Sequence, residues 1–270
     1  MTKSYDAVFI YEAQDLSPSA LRFLAGLCYE GKDSTKRLYI AADSNQTIYG
    51  IGQAIAWSEI HPGLGYPANI RNFNVNYRST LQILRGAETY LTGSELEEEK
   101  VDVKHMRKGP KPKARLVDDF ETELTQIESF VRSSTQRFQT GLDVCAVLVP
   151  SWQKGRSVAL GLLSRGMNAT FMASEEVDLS LSGIKVLNLH SAKGLEFSIV
   201  TVALGDREEI SDSESPEEYA QQCRLIHMAM TRATRSLLVT LPIDSKMQQL
   251  HGISAPNWDV RAVKVDITPF

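Results

Sequence analysis

Cysteine is scarce in this sequence. Cys28, Cys145 and Cys223 are its three. They are scattered without the close spacing that metal ligands need, and they fit a reducing cytoplasm better than a disulfide framework. Long apolar runs are missing as well, so no segment suits a helix that spans a bilayer. The start, Met1-Thr2-Lys3-Ser4, leads straight into an apolar run and does not read as a signal peptide. The expectation is a cytoplasmic protein with no membrane partner. Nor is there an excess of positive charge. The formal net charge is −4, which argues weakly against a surface coated in base and leaves room for a local basic groove. With 270 residues, the chain can bury one or two ordinary cores.

The informative stretch begins at Ala7. The apolar run Ala7 to Ile10 ends abruptly in Tyr11-Glu12-Ala13-Gln14-Asp15. Such a run reads as a fully buried strand of a parallel sheet. The polar cluster then falls at the strand's carboxyl end, where open α/β sheets place ligands. Carboxylates there manage a metal ion or activate a water. By themselves Glu12, Gln14 and Asp15 read equally well as a strand-to-helix cap.

The pattern then alternates. Ser17 and Pro18 predict a helix start, with Leu21, Leu24, Ala25 and Cys28 on its buried face. Arg37 to Ala42 reads as a second buried strand, and Asp43-Ser44-Asn45-Gln46-Thr47-Ile48-Tyr49-Gly50 comes next. Gln46 at a strand end can hydrogen-bond a phosphate oxygen or an attacking water. Tyr49 reads equally as a half-buried core tyrosine. Residues 58–72 are broken by Pro62, Gly63, Gly65 and Pro67 and read as a connector. Asn76-Tyr77-Arg78-Ser79 precedes an apolar helix, and residues 95–115 form a charged connector of the kind that is usually an exposed loop. Strands are expected at 114–117, 143–150, 168–172 and 197–204, with helices at 121–138 and about 154–164. A helix is expected to carry Gln221 to Ala233, and Ser236 to Leu241 to be the closing strand.

Together these clusters resemble the motifs of UvrD/Rep-like superfamily 1 helicases. Tyr11-Glu12-Ala13-Gln14-Asp15 resembles motif II, with Tyr11 in the place of the usual Asp. Residues 43–50 resemble motif III, and Asn76-Tyr77-Arg78-Ser79 resembles motif IV. Asn188-Leu189-His190-Ser191-Ala192-Lys193-Gly194-Leu195-Glu196 resembles motif V, and Gln221 to Ala233 resembles motif VI, with Gln221, Gln222 and Cys223 replacing charged residues. Five motifs occur in family order.

The resemblance implies an α/β fold of RecA-like parallel sheets, one partial lobe followed by one full lobe, with the nucleotide between them. Residues 1–62 would belong to the first lobe. Residues 63–243 would form the second, with the 2B insertion absent or minimal, and residues 244–270 a tail. It implies ATP and Mg2+ as cofactors, although Tyr11 weakens the magnesium site and no metal ligand is assigned. It implies catalytic roles for Glu12, Gln46, Arg78 and Arg232, the last as the finger that stabilises transferring phosphate charge. Tyr11, Asp15, Lys193, Gly194 and Glu196 would line the nucleotide, with Glu196 near the ribose. Tyr49, His190 and Ser191 would face single-stranded or partly duplex DNA.

No Gly-Lys-Ser/Thr phosphate loop occurs in the sequence. A first lobe lacking that loop is expected to need a protein or a preceding segment to complete it. The implied activity is ATP-dependent DNA helicase, with translocation 3′ to 5′ and a place in DNA repair. The alternative is a degenerate module that binds nucleic acid or a partner without turnover.

Overall fold

The structure is a computed structural model that describes residues 5–28, 37–42, 57–61, 64, 71, 76–90, 106–173, 177–205, 216–243 and 256–263. The chain divides into two compact units, residues 1–74 and 75–270. Among the described residues no helix is long and apolar enough to cross a membrane.

In the first unit, β1 (Val8–Ile10) pairs in parallel with β2 (Leu38–Ile40). Helix α1 (Pro18–Gly26) starts as its residues dictate. The Ser17 hydroxyl accepts from Ala20 N at 3.2 Å, and Pro18, whose missing N–H costs nothing there, opens the first turn. Leu21, Ala25 and Cys28 are buried as the spacing predicts, and Leu24 is half-buried against the same core. Ile10, Ala13, Leu21, Ala25 and Ile60 of the short helix α2 (Trp57–Ile60) make the core.

The expectation of fully buried strands fails here. Phe9 is 74% exposed and Tyr39 55% exposed, and their rings stack at 4.7 Å. A strand's residues alternate faces. Ile10 turns to the core, whereas Phe9 and its register partner Tyr39 turn to a face that the described residues leave open.

The second unit is α/β, with a seven-stranded, wholly parallel sheet in the order β5-β6-β4-β7-β8-β3-β9. The strands are β3 (Lys113–Val117), β4 (Cys145–Val149), β5 (Ala169–Met172), β6 (Ile184–Asn188), β7 (Phe197–Ala203), β8 (Ala233–Pro242) and β9 (Asp259–Ala262). The helices are α3 (Leu81–Glu88), α4 (Phe120–Phe138), α5 (Trp152–Ser164) and α6 (Pro216–Met230).

Parallel strands need crossovers, and the crossovers cover both faces. One face carries Ala146, Leu148, Val200, Val202 and Val239 beneath Ile83, Ala87 and Ile226 of α3 and α6. The other carries Cys145, Val147, Val149 and Ile199 beneath Leu124, Ile127, Val131, Val158 and Leu162 of α4 and α5. The alternation along β4 is the two-residue period of a strand read from both sides at once. It explains why the strand is apolar without interruption. The result is a RecA-like, doubly covered sheet.

Three expectations change. Ser236 to Leu241 lies in β8, which is interior, because β3 and β9 continue the sheet beyond it. Residues 259–262, in the predicted tail, form the edge strand β9. There Arg115 donates from Nη1 to Asp259 O at 2.7 Å and from Nη2 to Asp259 Oδ2 at 3.0 Å. The helix of motif VI ends at Met230, so Arg232 sits in the turn before β8 and not on the helix.

Candidate functional site

In the first unit, Tyr11 follows β1 and is exposed. Glu12 adopts φ 55°, ψ 42°, a left-handed conformation that costs a non-glycine residue energy and recurs at functional sites. The conformation bends the chain into a 3₁₀ turn, Ala13–Asp15, pinned by Ala13 N donating to Ala41 O at 3.0 Å. Gln14 Nε2 donates to Glu12 Oε2. Asp15 is half-buried in that turn. Gln46 and Tyr49 lie outside the described residues.

In the second unit, Asn76 shapes the loop that carries Arg78. Its Oδ1 accepts from Arg78 N at 2.8 Å and Ser79 N at 3.1 Å, an Asx turn. Ser79 is fully buried, and its hydroxyl donates to Ala233 O at 2.7 Å. That bond ties the Arg78 loop to the start of β8. Thr80 then caps α3. Arg78 Nε pairs with Glu196 Oε1. Glu196 immediately precedes β7, and Phe197 N donates to Arg232 O at 3.0 Å. Arg78, Glu196 and Arg232 therefore gather at the amino edge of β7 and β8.

The accessibility of the two arginines differs. Arg78 is partly exposed. Arg232 is only 1% exposed, and its Nε donates to Met228 O at 3.0 Å. Beside it His227 is buried. Burial, together with the Arg232 charge, pushes its pKa down to about 4. A neutral imidazole is the result, since a second buried cation there would be opposed by both effects.

Motif V is split across the sheet. His190 and Ser191 lie in a 3₁₀ turn just past the carboxyl end of β6, with Leu189 N donating to Val149 O at 2.9 Å. Residues 189–196 then run back to the amino edge, where Glu196 stands. Gly194 has φ 77° and nothing within 4 Å of where a Cβ would stand. It is needed for its backbone angle and not for crowding. Lys193 is half-buried and His190 exposed, its pKa lowered by partial burial.

Arg107 is the residue that sequence reasoning missed. In the sequence it is one charge among many in a predicted exposed connector. Its Nη2 donates to Tyr77 O at 2.9 Å and Arg78 O at 2.6 Å. Leu81 N donates to Arg107 O at 2.9 Å and Gly109 N to Gln82 Oε1 at 2.7 Å. Residues 107–109 thus brace the loop that presents Arg78. Nothing local in the sequence marks Arg107. Asn76 is legible as a turn residue two positions before the arginine.

Residues 167–242, within the second unit, match the model of the UvrD-like helicase C-terminal domain family. The crystal structure of the C-terminal domain of a possible DNA helicase from Lactobacillus plantarum WCFS1 is similar to this chain. It has 20% identity and a TM-score of 0.51, with 68% of this chain and 98% of that one covered. This likeness is one of fold. The Pyrococcus furiosus Hef helicase domain aligns at 12% identity and a TM-score of 0.33, over 47% of this chain and 26% of that one, too weak a likeness to argue from. No curated protein matches the chain.

The family generally uses ATP and Mg2+. Among the described residues no group of three or more His, Cys, Asp or Glu could hold a metal ion. Tyr11, which the resemblance alone sets at the motif's Asp position, is a phenol, and the Glu12 carboxylate is already bonded to Gln14. This donor set does not fit a protein-held magnesium site. For a nucleotide, the amino edge of β7 and β8 offers an accessible guanidinium at Arg78 and an accessible carboxylate at Glu196.

Proposed function

We propose that the chain is the C-terminal core of a UvrD/Rep-like ATP-dependent DNA helicase, moving 3′ to 5′ on a single strand in DNA repair. ATP hydrolysis then needs a phosphate loop from another segment or protein, because these residues contain none. Residues 1–62 belong to the first lobe and residues 63–243 to the second, to which β9 (Asp259–Ala262) adds an edge strand. Glu12 and Gln46 handle the attacking water, and Arg78 and Arg232 neutralise phosphate charge. Tyr11, Asp15, Lys193, Gly194 and Glu196 line the nucleotide, while Tyr49, His190 and Ser191 line the strand.

The observation that carries this reading is the convergence of Arg78, Glu196 and Arg232, separated widely in sequence, at one sheet edge through the Ser79–Ala233 and Phe197–Arg232 bonds. Arg232 reaches a phosphate only if its side chain leaves the Met228 carbonyl, a movement of one rotamer-rich side chain.

The test is ATP turnover with magnesium, with and without single-stranded DNA, before and after adding a polypeptide that carries a phosphate loop. Turnover that arises on addition and is lost in Glu12→Gln and Arg232→Ala supports the helicase reading. Absence of any gain opposes it. A second reading, binding without turnover, is favoured by Tyr11. An exposed phenol cannot replace a carboxylate as a metal ligand at neutral pH. It predicts strand binding that ATP leaves unchanged.

A further inference from the structure

The electrostatic character of one sheet edge is uneven. The chain is acidic overall, yet residues 144–174 contain no Asp or Glu, and neither do residues 179–195. These two stretches hold β4, α5 and β5, and then β6 and the turn after it. Val149 at the end of β4 lies opposite Asn188 at the end of β6. The two strands therefore release their next residues at the same place: Ser151 and Trp152 from β4, His190 and Ser191 from β6. Neither stretch carries a carboxylate of its own, although Glu175 and Glu176 follow shortly after β5 in sequence.

Trp152 opens α5 with 51% of its surface exposed. Its ring is not loose. Phe171 of β5 packs against it in a T-shaped arrangement, with centroids 5.2 Å apart and planes at 83°. The Phe171 ring itself occupies the space that a Cβ on Gly155 would need. The missing side chain at Gly155 lets Phe171 fit against α5 and support the indole. Arg156 follows Trp152 by one helical turn, on the same side of α5, and is exposed. A half-exposed indole braced by a neighbouring ring, with a cation one turn away, presents apolar surface beside a charge suited to phosphate. Aromatic faces of this kind stack unpaired bases, and the neighbouring cation tracks the backbone.

We infer that Trp152 is a base-stacking platform for single-stranded nucleic acid at the carboxyl edge of β4 and β6, with Arg156 contacting the phosphate backbone and His190 and Ser191 on the adjoining strand end. The inference rests on the nucleic-acid part of the proposed function and adds a residue that no motif marks.

The test is equilibrium binding of the full chain to fluorescein-labelled oligo(dT), read by anisotropy. Trp152→Ala is expected to weaken binding about ten- to a hundredfold, and Trp152→Phe, which keeps a ring, by much less. On an abasic strand of the same length the wild type and Trp152→Ala bind alike, since there is no base to stack. Arg156→Gln reduces the slope of log affinity against log salt by about one. Trp152→Ala binding oligo(dT) as tightly as wild type overturns the platform while leaving nucleic-acid binding intact. A folded wild-type chain that binds no strand overturns both.

Discussion

Arg78 and Glu196, both implied by resemblance to touch the nucleotide, pair with each other through Nε and Oε1. Their side chains are 33% and 46% exposed, so water already screens the pair. Pairs of this kind contribute about 0–1 kcal/mol. Exchange of Glu196 for an anionic ligand therefore costs little, and the pair holds Arg78 in place without locking it.

Removing either member should leave the fold intact. Arg78→Ala and Glu196→Ala are expected to unfold in urea within about 1 kcal/mol of wild type. Their effects on reconstituted ATP turnover should separate. Loss of the Arg78 guanidinium lowers kcat if it stabilises transferring charge, whereas loss of Glu196 raises KM if it only binds. Equal losses of stability and turnover in both variants would count against a ligand role.

Glu123 and Lys154 present the opposite case. Lys154 Nζ lies 2.8 Å from Glu123 Oε2, and both side chains are essentially sealed from water. The other carboxylate oxygen accepts from Gly205 N at 2.8 Å and from the Thr240 hydroxyl at 2.5 Å. One carboxylate thus joins α4, α5, the end of β7 and β8. Lys154→Met strips the carboxylate of its cation while leaving it buried, an expected loss of about 3–5 kcal/mol. Changing Glu123 to Gln in that background removes the stranded charge and retains an acceptor, so the double variant should be more stable than Lys154→Met. Urea unfolding measures both. A Lys154→Met loss below about 1 kcal/mol would mean that the pair is hydrated.

The parts of the fold legible in the sequence are those whose burial is two-sided. Cys145 to Val149 is apolar without a break because helices cover both faces, and a solvated face would have interrupted the run with polar residues at every second position. β9 was illegible for the converse reason. Asp259-Val260-Arg261-Ala262 is an edge strand that alternates charge with apolar residues, and its partners, the β3 backbone and Arg115, lie far away in sequence. The exposure of Phe9 and Tyr39 was illegible because an apolar residue states its preference and not whether anything covers it. At the candidate site, Arg78, Glu196 and Arg232 were singled out by the family resemblance alone. Their convergence needs the buried Ser79 hydroxyl bond, and the bracing by Arg107 needs a loop that returns to the same place.

His227 should make stability depend on pH. Its pKa lies at about 4 in the folded state, against an ordinary value of 6.5. The unfolded chain therefore takes up a proton first as pH falls. Stability is complete above pH 6.5, declines between 6.5 and about 4, and has no further loss from this group below that. His227→Phe, which cannot titrate, is expected to flatten the decline by close to one proton. The measurement is the slope of unfolding free energy against pH. An unchanged slope would show that His227 is solvated or that another group dominates the window.

Gly155 tests how tightly α5 sits on the sheet. In an exposed helix, alanine would be favoured over glycine by about 1 kcal/mol. Here a Cβ would lie 3.1 Å from Phe171 Cζ and closer still to its Cε2 and Cδ2, far inside contact distance. Overpacking of this kind typically costs about 1–3 kcal/mol, so Gly155→Ala is expected to destabilise despite its better propensity. Phe171→Leu in the same background makes room for the methyl group and should recover part of the loss. The gain from that second change must exceed the effect of Phe171→Leu alone, which a double-mutant cycle measures. Additive effects would mean that the ring moves aside freely. The indole of Trp152 would then lack the support that its T-shaped contact with Phe171 supplies.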